Sequence, residues 1–291
     1  MRIQTFSIIA GSAACNAKCP FCISKMTPAQ GVELKLPEVN WRNFAIACRL
    51  ARQNRVTTTM LTSKGEPTLY PELITSYLEH LEPFAFPFIE LQTNGILLLE
   101  EKEKFKKHMQ YWYEKGLSTI AVSIMHFEAE KNRQVYLPHR DSYIDLEALI
   151  DLLHSYNFSV RLACVMADGF IDSENELEKM INFAKEHNVE QLTVRPVSEP
   201  EKSENEAAAR WTSKHFLHKD QLMEIKKFLS ENGRELMKLL HGAVVYDVGG
   251  QNICLTDCLT LSPEAELIRQ LIFFPDGHLR YDWQYPGAIL L

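Results

Sequence analysis

The sequence predicts an α/β protein built on a parallel sheet, because six short apolar segments alternate with helix-forming ones over its first 200 residues. The predicted strands lie at residues 3–10, 56–61, 88–91, 119–124, 159–165 and 192–194. Segment 56–61 is β-branched and apolar, which is typical of a buried strand. A second observation supports this fold class: polar and glycine-rich residues follow one strand after another. Ligands bind at the carboxyl ends of strands in such sheets, so these residues predict a functional site.

Helix signals occupy the segments between the strands. Helices are predicted at residues 38–54, 71–80, 100–115, 143–156 and 173–187. Pro71 is placed to open the second helix and Gly116 to end the third. Ser173 and Glu176 form a capping-box pattern at the start of the fifth. Cys48 shares the apolar face of the first helix and is therefore predicted to lie in the core.

Composition narrows the class of protein further. The chain has 291 residues, 46% of them hydrophobic, and a formal net charge of −7. This size fits one large domain or a domain with an appendage, and no apolar run approaches membrane-spanning length. The acidic charge disfavours a nucleic-acid partner, which would require clustered basic residues. Seven cysteines without a recognisable export signal predict a reducing, cytoplasmic location.

The segment after the first predicted strand is Cys15-Asn16-Ala17-Lys18-Cys19-Pro20-Phe21-Cys22. One loop with this spacing can turn three thiolates towards a common point, as an iron–sulfur cluster requires. A structural zinc site or an all-cysteine cluster would need a fourth cysteine nearby, and none follows. The polar residues in the loop argue against a core strand, and the apolar run before Cys15 is too short for a lipoprotein signal. Three thiolates would leave one metal position open.

This loop resembles the C-x3-C-x-aromatic-C motif of the radical S-adenosylmethionine (SAM) superfamily, with Phe21 as the aromatic residue. The resemblance covers about residues 1–200 and implies a partial (β/α)6 TIM-like barrel. It also implies a [4Fe-4S] cluster on Cys15, Cys19 and Cys22, with the amino and carboxylate groups of SAM on the fourth iron. In this family the reduced cluster splits SAM to a 5′-deoxyadenosyl radical, so the cofactor carries the chemistry and the protein positions it.

The segment Lys64-Gly65-Glu66-Pro67, after the second strand, resembles the GGEP motif of the same family, whose loop binds the SAM amino group. Glycine lets the backbone approach a ligand, and a carboxylate such as Glu66 accepts hydrogen bonds from an ammonium group. The sequence departs from the motif at Lys64. We expect Lys64 to act catalytically by reaching a carboxylate of SAM or of the substrate, and the alternative is a side chain that points to solvent.

Four further residues resemble cofactor-binding positions of the family. They are Asn94 after the third strand, Ser123 on the fourth, Arg161 on the fifth and Arg195 on the sixth. Arginine suits a carboxylate because its planar fork matches it. The structural alternatives are a turn residue for Asn94, a backbone hydrogen bond for Ser123 and ion pairs across the sheet for the arginines. The family often has asparagine where this chain has Ala163, so that contact is lost.

His126 follows the fourth strand, where the family motif often has an acidic residue. We expect it to face the substrate or to donate a proton, and a structural histidine is the alternative.

The rest of the chain matches no family pattern. We divide the chain into a radical SAM core (1–200), a helical connection (201–240) and a small β-containing cap over the barrel mouth (241–291). A helical pair is expected at 219–240, broken near Gly233, and Asp276-Gly277 predicts a hairpin turn. Aromatic residues near the C-terminus are candidates to cover the mouth of the barrel: Tyr281, Trp283 and Tyr285.

Two cysteines in this last segment, Cys254 and Cys258, raise the question of a second cluster. Two thiolates are too few unless His241, Asp257 or His278 also contributes. We therefore expect no auxiliary cluster.

The favoured function is a radical SAM enzyme that abstracts hydrogen from a small or medium-sized organic substrate and so drives rearrangement, cyclisation or coupling. A low-potential donor such as flavodoxin or ferredoxin would reduce it. One alternative is the same chemistry on RNA or a peptide. Another is a metal-binding regulatory protein without turnover, which Glu66 and the strand-end glycines disfavour because a sensor needs no SAM-binding loop.

Overall fold

The computed structural model describes residues 2–239, 242–256 and 267–291, and its centre is an eleven-stranded sheet. The strands are β1 (Arg2–Ile9), β2 (Thr58–Thr62), β3 (Phe88–Thr93), β4 (Leu117–Ile124), β5 (Ser159–Met166), β6 (Gln191–Pro196), β7 (Arg234–Lys238), β8 (Val244–Val248), β9 (Gln251–Leu255), β10 (Leu267–Phe273) and β11 (Leu279–Arg280). Their order is β11-β10-β1-β2-β3-β4-β5-β6-β9-β8-β7. All pairs from β10 across to β9 are parallel. Within the described residues the edge strands β7 and β11 do not pair, so the barrel is open, as a partial TIM-like barrel requires.

Helices connect the parallel strands. They are α1 (Ile23–Met26), α2 (Trp41–Gln53), α3 (Pro71–Leu81), α4 (Ile96–Glu100), α5 (Lys102–Glu114), α6 (Ala129–Tyr136), α7 (Leu146–Ser155), α8 (Glu174–Glu186), α9 (Glu206–Lys214) and α10 (Lys219–Asn232). The predicted strands and helices of the barrel are confirmed, and Pro71 does open α3. Cys48 is fully buried on α2. Ser173 caps α8 by accepting from the backbone N–H of Glu176.

The two faces of the sheet differ in polarity, and this difference decides where a ligand can lie. On the face that packs against helices, neighbouring strands align apolar residues such as Leu61, Leu91 and Ile120, all fully buried. The alternate residues point to the inner face, because successive side chains in a strand point in opposite directions. That inner face carries polar residues, among them Gln92 and Thr193.

The prediction of a helical pair at 219–240 is wrong in its second half. The helix α10 ends at Asn232, Gly233 adopts an extended conformation, and residues 234–238 form β7. β7 pairs with β8 in an antiparallel ladder, so a partner distant in sequence decides its conformation.

The C-terminal strands join both edges of the barrel sheet. β9 pairs with β6 at one edge, and β10 pairs with β1 at the other. The predicted hairpin is confirmed: β10 and β11 are antiparallel, and Gly277 takes the positive φ (97°) that the turn needs. The division into three domains stays a prediction. None of the described helices has the length and apolar character needed to cross a lipid bilayer.

Candidate functional site

The loop that carries Cys15, Cys19 and Cys22 follows β1 and lies directly against the loop that follows β2. The backbone N–H of Glu66 donates to the carbonyl of Ala14 at 2.9 Å. A Cβ atom on Gly65 would lie 1.9 Å from the same carbonyl oxygen, so only glycine allows this approach. Gly65 therefore serves the contact between two protein loops, and the sequence could predict the close approach but not its partner.

The three thiols share one neighbourhood. Cys15 is exposed, Cys19 and Cys22 are half-buried, and all three are free thiols. Although Cys15 is exposed as a residue, the protein atoms around its thiol partly desolvate it and raise its pKa to about 11, and the negative charges of Glu66 and Cys22 add to that rise. Burial also raises the pKa of Cys19 above its ordinary range, with further contributions from Cys22 and Cys15. A bound metal would favour the thiolate forms, because its positive charge offsets these effects.

In a site for a single metal ion, all the ligands bind the same ion and lie close together. In an iron–sulfur cluster, each cysteine binds a different iron atom, so the cysteines lie further apart. In the described ranges, no group of three His, Cys, Asp or Glu side chains is arranged to hold a single metal ion.

Glu66 is buried at 2% exposure, and its carboxylate is already hydrogen-bonded within the protein. Oε1 accepts from the N–H (3.0 Å) and hydroxyl (2.7 Å) of Thr68 and from the hydroxyl of Thr93 (2.6 Å). Oε2 accepts from the N–H of Asn94 at 2.9 Å. Burial is the larger influence and raises the pKa of Glu66, while these donors act in the opposite direction. A carboxylate has about four acceptor positions, so Oε2 retains capacity for a further donor.

Asn94 joins this network to the cysteine loop. Its Nδ2 donates to Oδ1 of Asn16 at 2.7 Å, and its Oδ1 accepts from the N–H of Ile96. Asn94 therefore acts as a turn residue and also holds the cysteine loop. Asn16 was not predicted to be a site residue, although its place between Cys15 and Cys19 was a usable signal.

Two buried polar atoms beside the thiols have no hydrogen-bond partner in the described part of the chain. They are Nδ2 of Asn16 and the hydroxyl of Tyr143. The hydroxyl of Tyr143 lies close enough to Cys19 and Glu66 for their charges to raise its pKa, after burial, which is the larger cause. Buried donors without partners are costly, so a ligand that accepts from them is expected here. Three thiols, these two donors and the Gly65 contact fit a [4Fe-4S] cluster with a small polar ligand.

Phe21 packs into a cluster of aromatic residues. Its ring meets Tyr136 edge-on at 5.9 Å and Trp211 at 5.6 Å. The carbonyl of Tyr136 accepts from the N–H of Lys18, so α6 also supports the cysteine loop. The contacts of Phe21 with Tyr136 and Trp211 were not predicted. Both residues are far from Phe21 in the sequence, and only the folded chain brings α6 and α9 next to the cysteine loop.

Ser123 points to the inner face of the barrel. Its hydroxyl makes no hydrogen bond within the described ranges, and the residue is half-buried. Across the sheet, Ser123, Ala163, Thr193 and Cys254 occupy one register row. All four side chains in this row, near the carboxyl ends of the strands, are small.

Arg161 lies deeper on the same face and forms an ion pair with Glu90, two strands away. Ala121, on the strand between them, is small enough for the arginine side chain to cross. The Nε atom of Arg161 is buried and has no partner in the described part of the chain. The geometry is that of the structural alternative, an ion pair across the sheet. Arg195 lies on β6, and its charge lowers the pKa of Cys164 against the larger, opposite effect of burial.

His126 is not brought to the inner face. It is 2% exposed, and both ring nitrogens are hydrogen-bonded to protein. Nδ1 accepts from the N–H of Glu128 at 3.0 Å, which leaves Nε2 as the donor to Glu176 at 3.2 Å. Glu176 belongs to α8, and this bond explains why its side chain does not complete the capping box. The geometry gives no support to substrate contact by His126 and matches the structural alternative.

Lys64 is buried and does not point to solvent. Its Nζ donates to the hydroxyl of Thr27 and lies over the ring of Trp283. Trp283 therefore covers the ammonium of Lys64, while the assignment of residues 241–291 as a cap over the barrel mouth stays a prediction. Cys254 lies on β9, whereas Cys258, His241 and Asp257 lie outside the described residues. The expectation of no second cluster thus stays a prediction.

We predict that Gly65→Ala separates the two loops, because its new methyl group would overlap the backbone of Ala14. The expected loss is about 1–3 kcal/mol in the free energy of unfolding, with less iron bound per chain after reconstitution. Gly287→Ala is the control, since nothing lies within 4 Å of a Cβ there. Wild-type stability and iron content in Gly65→Ala would contradict the prediction.

A second prediction concerns pH. Burial lowers the pKa of His126, even though Glu176 raises it. The unfolded chain then binds more protons than the folded one below about pH 6.5, so stability falls as the pH drops through that value. Denaturant titrations give the free energy of unfolding at each pH. Between about pH 7.5 and about pH 5.5, this free energy should fall less for His126→Gln than for the wild type. An equal loss in both proteins would be the contrary result.

Comparisons with known proteins agree with this site. A family model described as the radical SAM superfamily matches residues 9–184, more than half of the chain. The GTP 3′,8-cyclase of Chlorobaculum tepidum is 25% identical over 188 residues, which cover 64% of this chain and 51% of that protein. The chain thus spans about half the length of this curated relative.

Solved structures show the same fold. Streptococcus suis SuiB bound to S-adenosylmethionine matches with a TM-score of 0.61 and 15% identity, over 96% of this chain and 60% of that one. Native anSMEcpe with bound AdoMet matches with a TM-score of 0.60 and 14% identity, over 97% of this chain and 75% of that one. Together with the family model and the three-cysteine loop, these likenesses lead to one conclusion: the chain belongs to the radical SAM superfamily, whose members use a [4Fe-4S] cluster and SAM.

Proposed function

We propose that this chain cleaves SAM reductively and uses the resulting 5′-deoxyadenosyl radical to abstract hydrogen from a small or medium-sized organic substrate. Rearrangement, cyclisation or coupling would follow. One observation carries the proposal: a single loop presents three free thiols at the carboxyl end of β1, and the Gly65–Glu66 loop after β2 is packed against it. The partially exposed thiols make this end of the barrel accessible to a low-potential donor such as flavodoxin or ferredoxin.

In this proposal the protein binds and orients the reactants. Cys15, Cys19 and Cys22 hold the cluster, which supplies an electron to SAM when both are bound. The spare acceptor position of Glu66 Oε2 suits the SAM amino group, and the unpartnered hydroxyl of Ser123 suits another polar group of SAM. The ring of Phe21 would provide an apolar surface next to the cluster and SAM. No proton transfer is assigned to His126.

The substrate would lie deeper on the inner face. Gln92 donates to Glu90 at 3.1 Å, and Glu90 pairs with Arg161. We propose that Arg161 and Arg195 serve as polar contacts on this face, for the substrate or the SAM carboxylate, because a guanidinium group matches a carboxylate. This polar lining favours a substrate with hydrogen-bonding groups over an apolar one. Free thiols and an oxygen-sensitive cluster also fit a reducing compartment such as the cytoplasm.

A peptide substrate is the second candidate. SuiB, the neighbour described above, has also been solved bound to its precursor peptide SuiA, with a TM-score of 0.60 over 96% of this chain and 59% of that one. The two candidate substrate classes can be distinguished by mixing the reconstituted enzyme either with a metabolite fraction or with a peptide fraction and measuring SAM cleavage. The fraction that holds the substrate should accelerate SAM cleavage.

The proposal predicts 5′-deoxyadenosine from the anaerobically reconstituted protein with dithionite and SAM. Cys19→Ser should lose both the visible absorbance of the cluster and this product, because the cluster loses a ligand. Cys48→Ala is the matched control, since Cys48 is a core residue of α2 and should not affect the product. Product formation by Cys19→Ser at the wild-type rate would refute the assignment.

Ser123→Ala should weaken SAM binding about 2- to 10-fold, the usual effect of one lost hydrogen bond. Titration calorimetry on the reconstituted protein measures it. Ser118 lies at the other end of the same strand, and its hydroxyl donates to the carbonyl of Ile89. Ser118→Ala should therefore bind SAM like the wild type. Equal affinity in all three proteins would remove Ser123 from the SAM site.

A further inference from the structure

Lys64 is held in one orientation by the segment that follows the cysteine loop. Its ammonium donates to Oγ1 of Thr27 at 2.6 Å. That hydroxyl donates its own proton to the carbonyl of Ile23 at 3.0 Å, so its oxygen is available to accept from Lys64. Because Ile23 directly follows Cys22, this chain of bonds ties the ammonium to the helix that begins at the third cysteine.

The C-terminal segment covers Lys64 from the other side. The ring of Trp283 lies 5.6 Å from Nζ, within the range of a cation–π contact. Trp283 is itself fixed, because its carbonyl accepts from Gln30 at 2.9 Å and its ring packs edge-on against Phe274. The ammonium is therefore largely shielded from water, with 6% of the residue exposed.

This environment lacks the anion that a buried ammonium normally requires. Among the described residues no carboxylate pairs with Lys64, and its contacts are a neutral hydroxyl and an aromatic ring. Burial lowers the pKa of Lys64 to about 8, and the negative charge of Cys22 raises it. At neutral pH the group is thus still a cation. An unpaired buried charge is costly, so this one calls for a negatively charged partner beside Cys22.

We propose that Lys64 is the buried counter-ion of the iron–sulfur cluster and raises its reduction potential. The inference rests on the proposed function, because it requires the cluster. With three thiolate ligands the cluster carries net negative charge, and the one electron accepted from flavodoxin, ferredoxin or dithionite increases that charge. The attraction of a fixed cation is therefore stronger for the reduced form. No bond forms or breaks in this step, and Lys64 acts as a positioning and electrostatic residue.

The test is a redox titration of the reconstituted, SAM-free protein, followed by the electron paramagnetic resonance signal of the reduced cluster. Lys64→Gln keeps a donor for Thr27 but removes the charge. At the same applied potential, its ratio of reduced to oxidised cluster should be at least about tenfold lower than in the wild type, a shift of about 59 mV to more negative potential. Lys64→Arg keeps the charge and should stay closer to the wild type.

Lys25 provides a matched control, because it is an exposed cation on the same segment whose charge also acts on Cys15 and Cys19. Solvent and salt screen an exposed charge, so Lys25→Gln should change the ratio by less than about threefold, and less still in high salt. Trp283→Leu admits water to the ammonium and should shift the potential in the same direction as Lys64→Gln, but less.

Equal potentials in the wild type and Lys64→Gln, or equal shifts for Lys64→Arg and Lys64→Gln, would overturn the inference. If Lys64→Gln takes up no cluster, Trp283→Leu decides, and an unchanged potential there also counts against it. Failure of the proposed function would look different, since the wild-type protein would then assemble no [4Fe-4S] cluster, or would assemble it and yield no 5′-deoxyadenosine from SAM.

Discussion

The buried carboxylate of Glu66 is the interaction on which the site depends. Of its four hydrogen bonds, two come from Thr68 in the same loop after β2, and two come from Thr93 and Asn94 at the end of β3. Asn94 extends the network to Asn16 in the cysteine loop. A buried carboxylate without these donors would strongly destabilise the folded protein. The donors on the neighbouring segments therefore stabilise the carboxylate, and the same hydrogen bonds hold the loops together. Gly65 makes this possible by letting the two loops touch. The thiols are thus presented by a loop that is held in place by hydrogen bonds within the protein.

This arrangement assigns different tasks to the two faces of the sheet. Helices cover the outer face, and its apolar residues form the core. The inner face is polar, with small residues near the carboxyl ends of the strands and the ion pair between Glu90 and Arg161 below them. A cofactor at the loops and a substrate on the inner face would therefore be neighbours. Trp283 lies over the ammonium of Lys64 and shields that buried cation from water.

Local patterns were sufficient to predict the parallel α/β sheet and the edge at which the candidate site residues gather, whereas the partial barrel was implied by the resemblance to the family. The alternation of strands and helices, together with the rule that ligands bind at strand ends, predicted that Cys15, Gly65 and Asn94 lie at one edge of the sheet. This prediction was possible because strands, helices and the loops between them can be recognised from residues that are neighbours in the sequence. Long-range partners could not be predicted in this way. The pairing of β7 with β8 depends on contacts far apart in sequence, and so does that of Arg161 with Glu90. His126 turned towards α8 for the same reason, since Glu176 lies fifty residues further on.

The most direct test of the three-thiolate site is a Mössbauer spectrum of the protein reconstituted with isotopically enriched iron, recorded with and without SAM. The expected spectrum is that of a [4Fe-4S] cluster in which only the iron that lacks a cysteine ligand changes when SAM is added. A protein that binds no such cluster, or a cluster whose irons all stay unchanged on addition of SAM, would contradict it.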